Sequence, residues 1–149
     1  MNPLSRGILA LLLVILAGCS SSDKSKAGRP KTVPSSGVVT LDGEPLGGAQ
    51  IVLVPEGGQH SASAMSNEDG TFELMTFNPD PGVVPGSYKV MITKSMTPAP
   101  FEGPDGLVSL PGKLLTPKKY ADPNKSGLSA QIPDDERGQR ALLFELKSK

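Results

Sequence analysis

The chain has no tryptophan, and among its 149 residues there is one histidine, one cysteine, four phenylalanines and two tyrosines. A lone thiol closes no disulfide within the chain. With a single histidine, His60, and a single cysteine, Cys19, the several-His/Cys ligand set of a typical zinc site cannot be assembled. Charge of one sign is also missing: Lys+Arg and Asp+Glu both number 15, so there is no field to attract nucleic acid or another polyanion. No G-x-S-x-G elbow, H-E-x-x-H or phosphate-cradling G-x-x-x-x-G-K-[ST] occurs. The unbroken apolar and small-residue run, Ile8 to Gly18, makes a helix of roughly 16 Å, about half of the ~30 Å hydrocarbon core a spanning helix must cross. These gaps argue against an enzyme and imply neither a metal nor a cofactor.

What the chain does have is glycine and proline, 17 and 15 residues, which favours tight turns and short strands over long helices. Its start, MNPLSRGILALLLVILAGC, sets Arg6 ahead of the apolar run in the layout of a secretory signal. That run closes on Leu16, Ala17, Gly18 and Cys19, which resembles the bacterial lipobox. The resemblance implies cleavage after Gly18, a diacylglycerol on the Cys19 sulfur and a fatty-acyl anchor, palmitate being the usual chain. A sulfur spent on an anchor needs no disulfide partner. Two long acyl chains contribute on the order of 20 kcal/mol of membrane affinity. With Ser20 rather than Asp after the cysteine, the resemblance leans towards the outer membrane.

Residues 19–36, CSSSDKSKAGRPKTVPSS, hold few groups able to bury anything and read as a flexible linker reaching about 23 Å. Lys24, Lys26, Arg29 and Lys31 are spread out, which fits plain solvation as well as attraction to an anionic surface.

From Gly37 onward, period-two patterns recur between turn signals. Val39 and Leu41 share a face, as do Ala49, Ile51 and Leu53; Phe72 with Leu74; Tyr88, Val90 and Ile92; and Leu142, Phe144 and Leu146. Adding SASAM and GLSAQI makes seven short strands with no convincing helix, which predicts an all-β chain built as a single β-sandwich over 37–149. Asp42-Gly43 supplies hairpin turn chemistry. Asn67, Glu68 and Asp69 read as a turn before Gly70, since strand residues follow where a calcium loop needs further ligands. Asp134, Asp135 and Glu136 read as a solvated hairpin tip.

The ordered set GVVTLDGEPLGGAQIVLVPEGG, SNEDGTFEL and VPGSYKVMI, resumed near 114–146, resembles the carboxypeptidase regulatory-like family, a prealbumin-type (transthyretin-like) sandwich of exported bacterial proteins. Hydrolases of the transthyretin type use several histidines and a C-terminal Tyr-Arg-Gly-Ser; this chain ends LKSK, and the resemblance therefore implies no such activity. Fold alone carries no function.

Residues 94–126 form a proline-rich insertion. Two readings stand for it: Leu114 to Tyr120 pack back on the sandwich, or the insertion is a partner-binding loop. Phe72, Tyr88 and Phe144 fall on apolar strand faces. Phe77, Phe101 and Tyr120 are left as possible contacts for a protein or a glycan. Two roles are expected on these grounds: a lipid-anchored envelope protein with a non-catalytic binding or structural module, or a carbohydrate-binding accessory module of the envelope.

Overall fold

The computed structural model describes residues 28–58, 60–135 and 141–149. Cys19, the lipobox residues 16–18, the signal segment and the first part of the linker lie outside them. The chain is all-β. All seven expected strands form: β1 (Ser36–Leu41), which hairpins with the short β2 (Glu44–Pro45), β3 (Gln50–Pro55), β4 (Ala62–Met65), β5 (Thr71–Glu73) and β6 (Gly86–Thr93). The others are β11 (Leu128–Ile132) and β12 (Ala141–Leu146), and between β6 and β11 lie four short strands, β7 (Ser95–Met96), β8 (Phe101–Gly103), β9 (Gly106–Val108) and β10 (Lys113–Leu114).

Two sheets make the body. One has the antiparallel order β11-β6-β3-β4. In the other, β1 runs parallel to β12 along its full length, from Ser36↔Ala141 to Leu41↔Leu146, while β5 and β2 share its second edge. Alternation sends one side chain in two inward. Val39, Phe72, Phe144 and Leu146 from this sheet meet Ile51, Leu53, Val90, Ile92, Ala130 and Ile132 from the other in one core. Stacked sheets stand ~10 Å apart, a gap that such branched and aromatic side chains fill. Phe72 and Phe144 lie nearly parallel, 5.7 Å between centroids.

Local chemistry fixes the joints. Asp42 and Gly43 both take positive φ, 54° and 92°, as the two-residue hairpin turn between β1 and β2 requires. A Cβ at Gly37 would sit 2.2 Å from the Leu142 carbonyl oxygen and 2.6 Å from the Phe72 ring, so only glycine lets β1 lie between β12 and β5 under that ring. Buried hydroxyls are fully used. The Ser66 hydroxyl donates to the Leu46 carbonyl at 2.6 Å and accepts from the Ala49 N–H at 2.9 Å. The Ser126 hydroxyl donates to the Val90 carbonyl at 2.5 Å. Among the described residues, no buried side-chain nitrogen or oxygen lacks a partner, consistent with the cost of burying an unpaired polar group.

The linker boundary at residue 36 needs correction. Val33 is buried, and it exchanges backbone hydrogen bonds of 2.8 and 2.9 Å with Val83. Ser35 is buried too, its carbonyl accepting from the Leu74 N–H. Residues 29–35 thus form a strap laid on the sandwich. One valine inserted into the core and a run of backbone pairing overcome a composition that suggested only solvation.

Candidate functional site: the projecting arm

Direction along β6 organises the rest of the molecule. Val83, where the strap pairs, stands just before the strand begins, and β7 starts just after it ends. Eight residues at ~3.3 Å each separate strap and arm root by about 26 Å. The chain enters the sandwich at one end, and the 94–126 insertion leaves it at the other.

The insertion divides into two parts of opposite character. Its second half packs back. Thr116 is buried, with its hydroxyl accepting the Lys94 N–H at 3.2 Å, and the Leu115 N–H donates to the Lys94 carbonyl at 2.7 Å. A single 3₁₀ turn, Lys118–Ala121, then drops Tyr120 into the core. Tyr120 is only 5% exposed and its hydroxyl accepts from the Lys147 N–H at 2.9 Å. As a contact for a glycan or partner, Tyr120 is therefore ruled out; it pins the C-terminal segment to the body.

The first half projects as an arm. Ser95 and Met96 pair with Leu114 and Lys113 at its root, and Phe101–Gly103 pairs with Gly106–Val108 at its tip. Here the apolar side chains face solvent. Leu107 is 77% exposed, Met96 58%, Phe101 50% and Leu110 46%. Phe101 stands opposite Val108 on one face of the tip, and Leu107 stands opposite Glu102 on the other. Four apolar side chains left in water along one short arm make it a candidate contact surface.

Phe77 belongs elsewhere. It is half-buried at the strap end, with the Arg29 guanidinium over its ring at 5.1 Å and His60 against it at 5.3 Å in an edge arrangement. Arg29 also meets the Asp80 carboxylate at 3.3 Å. One face of the ring is taken by Arg29, and the ring also lines a shallow groove with Pro30, Thr32 and Pro81. Of the three candidate aromatics, Phe101 is the most exposed. His60 is itself half-buried, against the Phe77 ring.

Beside this cluster runs a groove of about 860 Å³, walled by Arg29 and Pro30 of the strap, Pro55 and Glu56, and the Val84–Tyr88 segment. Tyr88 donates its hydroxyl to the Val84 carbonyl at 2.5 Å, and burial pushes its phenol above the ordinary value of 10.0. Among the described residues, no three His, Cys, Asp or Glu side chains converge as a metal site would need. Asp69 caps its turn, accepting from the Thr71 hydroxyl at 2.6 Å and the Thr71 N–H at 3.0 Å. Those donors hold its carboxyl below the ordinary 3.8.

Sequence reasoning located the insertion and gave the packing of Leu114 to Tyr120 on the body as one of two readings, while keeping Tyr120 beside Phe101 among the possible contacts. The signal that separates them is the charge and proline around each: Tyr120 follows Pro117-Lys118-Lys119 at a turn onto the body, whereas Phe101 lies among Pro98, Pro100 and Pro104. Compared with known proteins, the chain matches no family, no curated protein and no solved structure.

Proposed function

We propose that this chain is a lipid-anchored cell-envelope protein, held at the membrane through Cys19, whose β-sandwich is a non-catalytic binding module acting through the projecting arm. Outer-membrane attachment and membership of the carboxypeptidase regulatory-like group are parts of the same reading, supported by Leu16-Ala17-Gly18-Cys19-Ser20 and by the strand order. The observation that carries the binding role is the arm's position. It holds solvent-facing Phe101, Leu107 and Leu110 at the end of the sandwich away from the strap, so an anchor upstream of the strap leaves those side chains directed outward. Glycan binding is the weaker role, because Tyr120 is buried and Phe77 is half-buried under Arg29, which leaves a thin stacking platform.

Two measurements test the proposal. Intact mass of the membrane-extracted protein is expected to show a chain beginning at Cys19 and carrying acyl groups; an unmodified, full-length, water-soluble product overturns the anchor. Deleting residues 98–112 is expected to abolish capture of a partner identified by mass spectrometry, and unchanged capture overturns the role of the arm.

A further inference from the structure

The arm's construction limits what it can engage. Its tip strands are only three residues each, and proline flanks them: Pro98 and Pro100 before β8, Pro104 at the turn, Pro111 after β9. Proline has no N–H to offer a new strand, and edges so short template little pairing. Backbone augmentation by a partner strand is thereby blocked, and recognition falls to side chains. Those side chains form a convex knob: Phe101 with Val108 on one face, Leu107 on the other, Leu110 behind. Two exposed carboxylates, Glu102 and Asp105, sit at the same tip, while residues 95–112 carry no Lys or Arg and Lys113 pairs at the root.

Three occupants are possible for such a surface. Anionic lipid is disfavoured by the two carboxylates, which an anionic surface repels. A second copy meeting tip to tip would bring four carboxylates together, a like-charge contact that costs affinity. A concave apolar cleft with a basic rim satisfies both features, because the cleft desolvates the knob and the rim meets Glu102 and Asp105. We propose that the arm is a plug for a partner protein of this kind: an apolar cleft wide enough for a phenylalanine and two leucines, edged with lysine or arginine. This rests on the arm-binding role proposed above and specifies its partner surface.

The experiment places a photoreactive benzoylphenylalanine at position 107 of the full-length protein in its native cell, with position 129 on the exposed face of β11 as control. The expected result is an adduct to one other protein from 107 and not from 129, mapped to apolar residues flanked by Lys or Arg. Glu102→Lys with Asp105→Lys should cut that adduct at least fivefold. An adduct to a second copy, an adduct to lipid, no adduct, or insensitivity to the charge reversal each overturns the proposal. Deletion of 98–112 reads whether the arm binds at all, while the charge reversal reads what surface it enters, so the two proposals fail separately.

Discussion

The sandwich and the arm use the same β geometry and treat apolar side chains in opposite ways. In β3 and β6, Ile51, Leu53, Val90 and Ile92 have no measurable exposure, whereas in β8 and β9, Phe101 and Leu107 are largely open to water. Burying a Leu or Ile side chain is worth about 1.5–3 kcal/mol, so the sandwich draws its stability from the face the arm leaves unused. Pairing in the arm is held by backbone hydrogen bonds and by proline and glycine, which narrow the unfolded ensemble or fit the turns; Gly106 takes a φ of 113° there. Burial, and not strand content, marks which strands sustain the fold.

The largest effect expected from this contrast is at Gly37. Gly37→Val should destabilise by about 3 kcal/mol or more through the clash with the Leu142 carbonyl and the Phe72 ring, lowering the melting temperature by at least about 10 °C in calorimetry. On the other side of the comparison, deleting 98–112 should leave the melting temperature within about 3 °C of the parent, since exposed residues away from special features change stability by about 0.5 kcal/mol or less. A large drop would show that the arm supports the fold after all.

Tyr120 sharpens the boundary between the two regions. Tyr120→Phe should cost about 1 kcal/mol, because the Lys147 N–H loses its acceptor, while Phe101→Ser should be neutral in urea unfolding. Arg29→Ala comes next, at about 0.5 kcal/mol, since a partly exposed ion pair and one cation–π contact are worth little; faster hydrogen exchange at the Val33 and Val83 amides would report the loosened strap. The smallest effect is electrostatic. Asp42 and Asp69 have folded values below their ordinary 3.8 because the Ser148 and Thr71 donors, respectively, favour the charged form. A depressed folded value stabilises fully above the unfolded one and is lost as pH falls through the folded one, so the contribution should vanish only below about pH 4. Asp69→Asn should flatten that acid limb in pH-dependent melting.

Most of the sandwich was legible because period two is a strong signal wherever one strand face is buried. Val39, Ile51, Phe72, Tyr88, Val90 and Phe144 all point inward as their alternation implies. The strap was not legible, because Val33 is one apolar residue in a polar run and its partner Val83 lies fifty positions on. Tyr120 falls both in a segment expected to pack back and among the possible contacts, because a lone aromatic in a Lys- and Pro-rich stretch carries no periodicity; its burial and the Lys147 N–H on its hydroxyl bear out the packed reading. The arm's exposed residues were visible as candidates, yet its division from the packed 115–126 segment depends on where Thr116 and Ser126 find backbone partners. The adjacency of the first and last long strands is a matter of topology that no local pattern encodes.

That adjacency bears on what happens under load. With β1 and β12 parallel and in register over six pairs, the chain enters beside the strap and ends beside the arm root. Tension applied between the start of β1 and the end of β12 would run along the strand axes and slide one terminal strand past the other. Every rung of that ladder shares the pull, whereas an antiparallel closure would open like a zipper, one rung at a time. A pull on the two ends of the sandwich therefore meets all six pairs at once.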